Sequence, residues 1–143
     1  MNFQDKIEKC KAIKMSPVVL AFIGDAVYSL FVREKVAFET DYKSGKLNEF
    51  TSKIVSAKTQ AELAGEILPF LTDEEADIFR RGRNAKKPSH SKNAKISDYN
   101  KSTGFEAVVG YLYVIGNYDR LNYVLNFHNY DAVTGTKVTD KEI

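Results

Sequence analysis

The sequence predicts an all-helical fold, and three observations carry that prediction. Apolar residues recur at helical spacing in four long segments. Few stretches alternate with period two. No Asn-Gly or Asp-Gly pair, the short-range signature of a hairpin, occurs anywhere in the 143 residues. The length suits one domain, residues 1–143, with a real hydrophobic core, and no internal repeat is visible. The apolar fraction of 43% and the charged fraction of 28% are those of an ordinary globular chain.

Taken in order, the elements read as follows. Phe3, Ile7 and Cys10 mark a weak amphipathic turn. Ser16 caps a long helix with Pro17 at its first position, running to about Phe38. "NEFTSKIVSAKTQAELAGEIL" places Phe50, Ile54, Ala57, Ala61 and Ala64 on one helical face and ends before Pro69. "TDEEADIFRRGRNAK" opens with a capping box, Thr72 to Glu75, and has acids at its start and arginines at its end, as the helix dipole favours. "TGFEAVVGYLYVIG" is a very apolar helix closed by Gly116, and "YDRLNYVLNFHNY" is a short last helix. The tail after Asp131 is polar and reads as frayed. "KKPSHSKNAKISDYNK" is the longest irregular stretch; such loops inside compact domains usually serve function or are disordered.

Composition excludes several classes. The uncharged run from Met15 to Val32 is broken by Asp25 and by Ser16-Pro17. At 18 residues it is short for a bilayer. A central Asp costs about 2.5–3.5 kcal/mol on insertion scales, so a buried helix fits better than a membrane span. "MNFQDKIEKCKAIK" has no apolar segment of the signal-peptide kind. One cysteine, Cys10, excludes an internal disulfide and suits a cytoplasmic protein. His90 and His128 stand in no zinc or histidine-bearing di-iron spacing. A covalent Cys-His pair is disfavoured by the position of Cys10 on a weak terminal helix.

Charge and carboxylates remain. From Arg80 to Lys101 eight basic residues face one acid, Asp98, for a net +7. The other residues carry 13 basic and 18 acidic side chains, for −5. Concentrated positive charge is the footprint of a polyanion partner; a solvated loop is the bland alternative. Asp25 and Glu106 interrupt the two most apolar helices, Asp25 among Phe22, Ile23, Ala26 and Val27, Glu106 among Phe105, Ala107, Val108 and Val109. If those helices pack together the two acids converge, and oxygen-only ligation of that kind suits magnesium or manganese. The structural alternatives are a Thr103–Glu106 capping box and an ion pair of Asp25 with Arg33 or Lys58.

"LAFIGDAVYSLFVRE", "SKIVSAKTQAE", "RRGRNAK" and "STGFEAVVGYLYV", in this order from about Leu20 to Val114, together resemble Mini-ribonuclease III, the short bacterial branch of the ribonuclease III family. The resemblance implies an all-helical endonuclease domain that acts as a homodimer. It implies hydrolysis of double-stranded RNA with Mg²⁺ (Mn²⁺ in substitution), leaving 5′-phosphate ends, in the maturation of large-subunit (23S) ribosomal RNA; the sequence leaves open whether a ribosomal protein is a further partner. Asp25 matches the catalytic aspartate of the Gly-Asp-Ala motif, and Glu106 the metal-binding glutamate. Larger members carry two more acids per site; this sequence has Ala21 and Thr103 there. A separate duplex-RNA-binding domain, which larger members carry, is not expected here, since the sequence closes at Ile143. That leaves RNA contact to the basic segment: Arg81, Arg83, Lys86 and Lys87 first, then Lys92 and Lys95, with His90 and Asn93 as minor contributors. Lys53, Lys58 and Gln60 are expected in a supporting role, against the alternative of a solvated helix face. A rival reading is an RNA- or ribosomal-precursor-binding protein of the same fold that does not cut. A third, a structural helical protein without an RNA partner, requires the basic segment to be idle.

Overall fold

The computed structural model describes residues 1–86 and 95–128; the expectations for Lys87, His90, Lys92, Asn93 and the tail after Asp131 lie outside them. Seven α-helices follow one another: α1 (Lys9–Ala12), α2 (Pro17–Glu39), α3 (Ser44–Ile54), α4 (Ala57–Ile67), α5 (Asp73–Asn84), α6 (Ile96–Val114) and α7 (Tyr118–Leu125), with a 3₁₀ turn at Leu68–Phe70. No strand occurs among the described residues, so the expected all-α class holds. None of the described helices is long and apolar enough to cross a membrane.

α6 is the hub. Every residue from Ser102 to Leu112 except Glu106 is buried, and α2, α4, α5 and α7 all pack on it. A helix wrapped on every side has little amphipathic character. Two glycine contacts let its neighbours approach. Gly24 of α2 faces the backbone of α6: a Cβ built on it would overlap the Glu106 carbonyl and lie 2.8 Å from the Gly110 nitrogen. Gly110 mirrors this, because a Cβ there would overlap the Leu20 carbonyl and lie 3.0 Å from the Gly24 nitrogen. On another face of α6, a Cβ on Gly82 of α5 would lie 3.0 Å from the Gly104 Cα. Tyr28 and Phe105 close the α2–α6 seam edge to face, 5.3 Å between ring centroids.

The ends of the elements follow local chemistry. Thr72 and Glu75 form the expected capping box on α5, each side chain accepting a backbone N–H at 3.1 Å. Glu75 is buried, and Arg120 of α7 binds both its carboxylate oxygens, at 3.0 and 2.6 Å, so α7 docks on the start of α5. Gly116, at φ +74°, closes the α6 end as expected. Pro17 opens α2 as expected, with Ser16 at the N-cap position, although the Ser16 side chain makes no capping bond.

Three expectations are corrected. The segment read as one helix over residues 48–68 is two, α3 and α4. Ser56 turns extended between them, and its Oγ accepts the Thr59 N–H at 3.3 Å, starting a new helix after the β-branched pair Ile54-Val55. α6 starts at Ile96, seven residues before Thr103, so residues 96–101 are helix rather than loop. Thr103 is therefore mid-helix: its hydroxyl donates to the Tyr99 carbonyl at 3.0 Å, and the Thr103–Glu106 capping box does not form. At the N-terminus only Lys9–Ala12 is helical.

The glycine contacts make a paired prediction. Gly110→Ala forces backbone apart at the α2–α6 seam and is expected to lower stability by about 3 kcal/mol or more. Gly65 lies in α4 with nothing within 4 Å of a built Cβ. Gly65→Ala is expected to raise stability by about 0.5–1 kcal/mol. Urea denaturation of the two variants beside the wild type checks both signs.

Candidate active site

The α2–α6 seam decides where the acids sit. Gly24 rests on the carbonyl of Glu106, so Asp25, the next residue of α2, stands beside Glu106 on the facing helix. The two carboxylates feel each other. Burial, and then the charge of Asp25, push the Glu106 carboxyl up to about 8. Partial desolvation at the seam raises the Asp25 carboxyl as well. Like charges brought together in a partly desolvated seam favour either a shared proton or a cation.

Asp25 itself is more open than its apolar flanks suggest. It is exposed, as are Ala26 and Phe22, the last at 81%. The expected burial around it is corrected here: α2 buries Leu20, Ala21, Gly24, Tyr28, Val32 and Val36. These lie on one face, and at 100° per residue Asp25 falls on its edge. Neither structural alternative for the acids is met. The capping box is absent, and among the described residues Asp25 has no ion-pair partner. Arg33 donates instead to Ser29 Oγ at 3.2 Å, and Lys58 lies in a cleft between α4 and α6 with Glu62 and Asp98. Ala21 is buried and the Thr103 hydroxyl is spent on its own helix, so neither position offers a further acidic ligand. No group of three or more His, Cys, Asp or Glu side chains converges among the described residues. An oxygen-only pair of carboxylates fits a cation that keeps several waters and takes one or two protein carboxylates, the usual habit of Mg²⁺.

The basic residues separate by role. Lys86 and Lys95, at the two edges of the undescribed stretch, are exposed. Arg83 is half-buried, with its Nε donating to Asn84 Oδ1 at 3.2 Å. Arg81 differs: its Nη1 donates to the Ile13 carbonyl at 2.8 Å and its Nη2 to the Met15 carbonyl at 3.2 Å. The sequence puts it first among RNA contacts; the structure turns its guanidinium inward onto backbone. Gln60 is turned inward too. It is 1% exposed and donates to the Val55 carbonyl at 3.1 Å, bracing the α3–α4 corner rather than any ligand. Lys53 and Lys58 are exposed. Gly110 is the site residue that sequence reading passed over; its signal is the spacing of four from Glu106, which puts the small residue one turn on along the same face.

The raised carboxyl gives stability a direction with pH. Glu106 has a folded value of about 8 against an ordinary 4.5. Between those values the folded state holds the extra proton. Without metal, stability is therefore expected to fall as pH rises from about 5 through about 8, then to level off. Glu106→Gln, which cannot ionise, is expected to flatten that slope in urea melts run in EDTA.

Comparison with known proteins adds the family. The Ribonuclease III domain matches residues 18–117, a span that contains both acids and both glycine contacts. The Mini-ribonuclease 3 of Thermoanaerobacter sp. (strain X514) is 46% identical over 128 residues, 87% of this chain and 90% of that protein. The Mini-ribonuclease 3 of Clostridium tetani is 42% identical over 113 residues, 78% and 75% of the two chains. Among solved structures, protein FN1578 from Fusobacterium nucleatum superposes with a TM-score of 0.74 at 26% identity, covering 80% of this chain and 91% of that one. A helical hub carrying two facing carboxylates, inside a span that the domain matches and that close relatives share, places this chain in the ribonuclease III family, in its Mini-ribonuclease 3 branch.

Proposed function

We propose that Asp25 and Glu106 hold Mg²⁺ and that with it this chain, an endoribonuclease by family, cleaves the phosphodiester backbone of double-stranded RNA as a two-fold homodimer. The observation that carries the reading is the carboxylate pair: two acids from adjoining helices, each raised by desolvation, with no base paired to Asp25 among the described residues. The ribonuclease III family is generally metal-dependent. When bound, a divalent cation would lower the pKa of a water so that hydroxide is available to attack phosphorus, and would supply positive charge for the phosphoryl oxygens. Glu106 and Asp25 would hold the cation as carboxylates, with Glu106 inside the seam and Asp25 at its open edge, on the side left accessible to substrate. Hydrolysis leaves the phosphate on the 5′ end of one product and a hydroxyl on the 3′ end of the other. The reading of the substrate as a 23S ribosomal RNA precursor rests on the Mini-ribonuclease III resemblance.

Duplex RNA is held mainly through phosphates, 2′-hydroxyls and groove shape. Arg83, Lys86, Lys87, Lys92 and Lys95 are the proposed contacts, with Lys53 and Lys58 in support. The dimer has its own support in α2. Val19, Phe22, Ala26 and Leu30 form an apolar stripe opposite the buried face of that helix, and all four are exposed. An unpartnered apolar stripe of this kind suits self-association, and a two-fold axis presents two equivalent sites to two antiparallel strands.

Asp25→Asn is expected to keep the fold and duplex-RNA binding while cleavage falls about 100-fold or more. Incubation of long duplex RNA with Mg²⁺ or EDTA, followed on a gel, reads this out. Near-native cutting by the variant would overturn the assignment. Salt-sensitive binding without cleavage by the wild type would favour the non-cutting relative, with Ala21 and Thr103 as its origin. Phe22→Asp places a charge in the middle of the apolar stripe and is expected to give a monomer in sedimentation velocity. A monodisperse dimer from that variant would remove α2 as the interface.

A further inference from the structure

A short stretch of α5 touches the approach to both helices of the site. Gly82 packs on α6 beside Glu106: a built Cβ would lie 3.1 Å from the Ala107 Cβ and 3.2 Å from the Thr103 carbonyl oxygen. Arg81, its neighbour, reaches the other way, to the carbonyls of Ile13 and Met15 in the peptide that enters α2. For the Ile13 carbonyl the need of an outside donor is written in the sequence. The residue four on from Ile13 is Pro17, which has no N–H. Among the described residues no backbone N–H outside the regular helices reaches either oxygen. One planar guanidinium satisfies both, and its fork fixes direction as well as distance, which a lysine ammonium does not.

We propose that Arg81 is a positioning residue for the Asp25–Glu106 pair and not a phosphate contact. It pins the entry of α2 to the same turn of α5 that packs on α6, and so sets how far α2 sits along α6. Asp25 lies eight residues into α2, about 12 Å along a rigid helix, so a shift at the entry is carried to it. Carboxylates that share a cation tolerate misplacement of only about 0.5 Å. The inference rests on the metal-nuclease reading and changes one part of it: an arginine in the basic segment serves the metal site instead of the RNA.

The test compares wild type, Arg81→Met, Arg81→Lys and Lys86→Ala. Duplex-RNA binding is measured in EDTA over a range of salt. Mg²⁺-linked stabilisation is measured by thermal melting without RNA, and KM and kcat are measured for duplex cleavage. Arg81→Met is expected to bind RNA with unchanged affinity and salt slope, to need about tenfold more Mg²⁺ for half-maximal stabilisation, and to lose kcat with KM unchanged. Arg81→Lys, which keeps the charge and guards against a methionine variant that fails to fold, is expected to show a smaller Mg²⁺ shift of the same sign. Lys86→Ala is expected to do the reverse: a salt slope lower by about one, with the Mg²⁺ requirement unchanged. A salt slope for Arg81→Met that falls like that of Lys86→Ala overturns the proposal, and so does an unchanged Mg²⁺ requirement in both Arg81 variants. Absence of Mg²⁺-linked stabilisation in the wild type overturns the metal reading itself, and the proposal with it.

Discussion

The close approach of α2 and α6 at Gly24 and Gly110 is the contact on which the rest depends. Side chains normally hold helix axes 8–10 Å apart. With no Cβ on either glycine, backbone meets backbone, and the residues beside the contact are drawn together with it. Asp25 and Glu106 are those residues. The packing that stabilises the domain is therefore what desolvates Glu106 and sets a second carboxylate next to it. The apolar burial along α6 offsets the electrostatic cost of the pair, and below about pH 8 a proton on Glu106 relieves that cost.

The two helices that carry the acids have opposite characters. α6 is enclosed by four neighbours and leaves Glu106 as the one incompletely buried residue between Ser102 and Leu112. α2 has two faces. One enters the core; the other keeps Val19, Phe22, Ala26 and Leu30 in solvent. Asp25 stands where these faces meet, so it is fixed by the core and still reachable. An acid one residue either way along α2 would point about 100° elsewhere, towards the core or into the apolar stripe.

Charge is divided with the same economy. At the far end of α6 the buried Glu75 is met by Arg120, and Glu74 by Lys9 at 3.0 Å and by the Tyr111 hydroxyl. Those acids are satisfied by fixed protein donors, whereas Asp25 has no ion-pair partner among the described residues. Within the basic segment, too, position outranks sign: Lys86 and Lys95 face solvent, while Arg81 is committed to two backbone carbonyls.

Local chemistry made much of this legible in the chain itself. Pro17, the Thr72–Glu75 box and Gly116 mark helix ends because capping is decided within a few residues. The apolar runs mark α2 and α6 because burial demands it, and an acid in each run singles out Asp25 and Glu106. What depends on distant partners was not legible. The break at Ser56 and the early start of α6 hide inside sequences with good helical spacing, where tertiary contacts choose the boundary. The Thr103–Glu106 spacing matches a cap, yet the residues before Thr103 are helical and make the cap impossible. Phe22 looks like core, because composition cannot say which side of a helix has a partner. Arg81 looks like an RNA contact, because only the fold brings residues 13 and 15 within reach of position 81. The sequence by itself determined that the protein is helical, that it carries two acids in apolar helices and that it holds one basic segment. Only the tertiary structure decided that the acids meet and that Arg81 is committed to backbone, since both depend on approach between segments more than 60 residues apart.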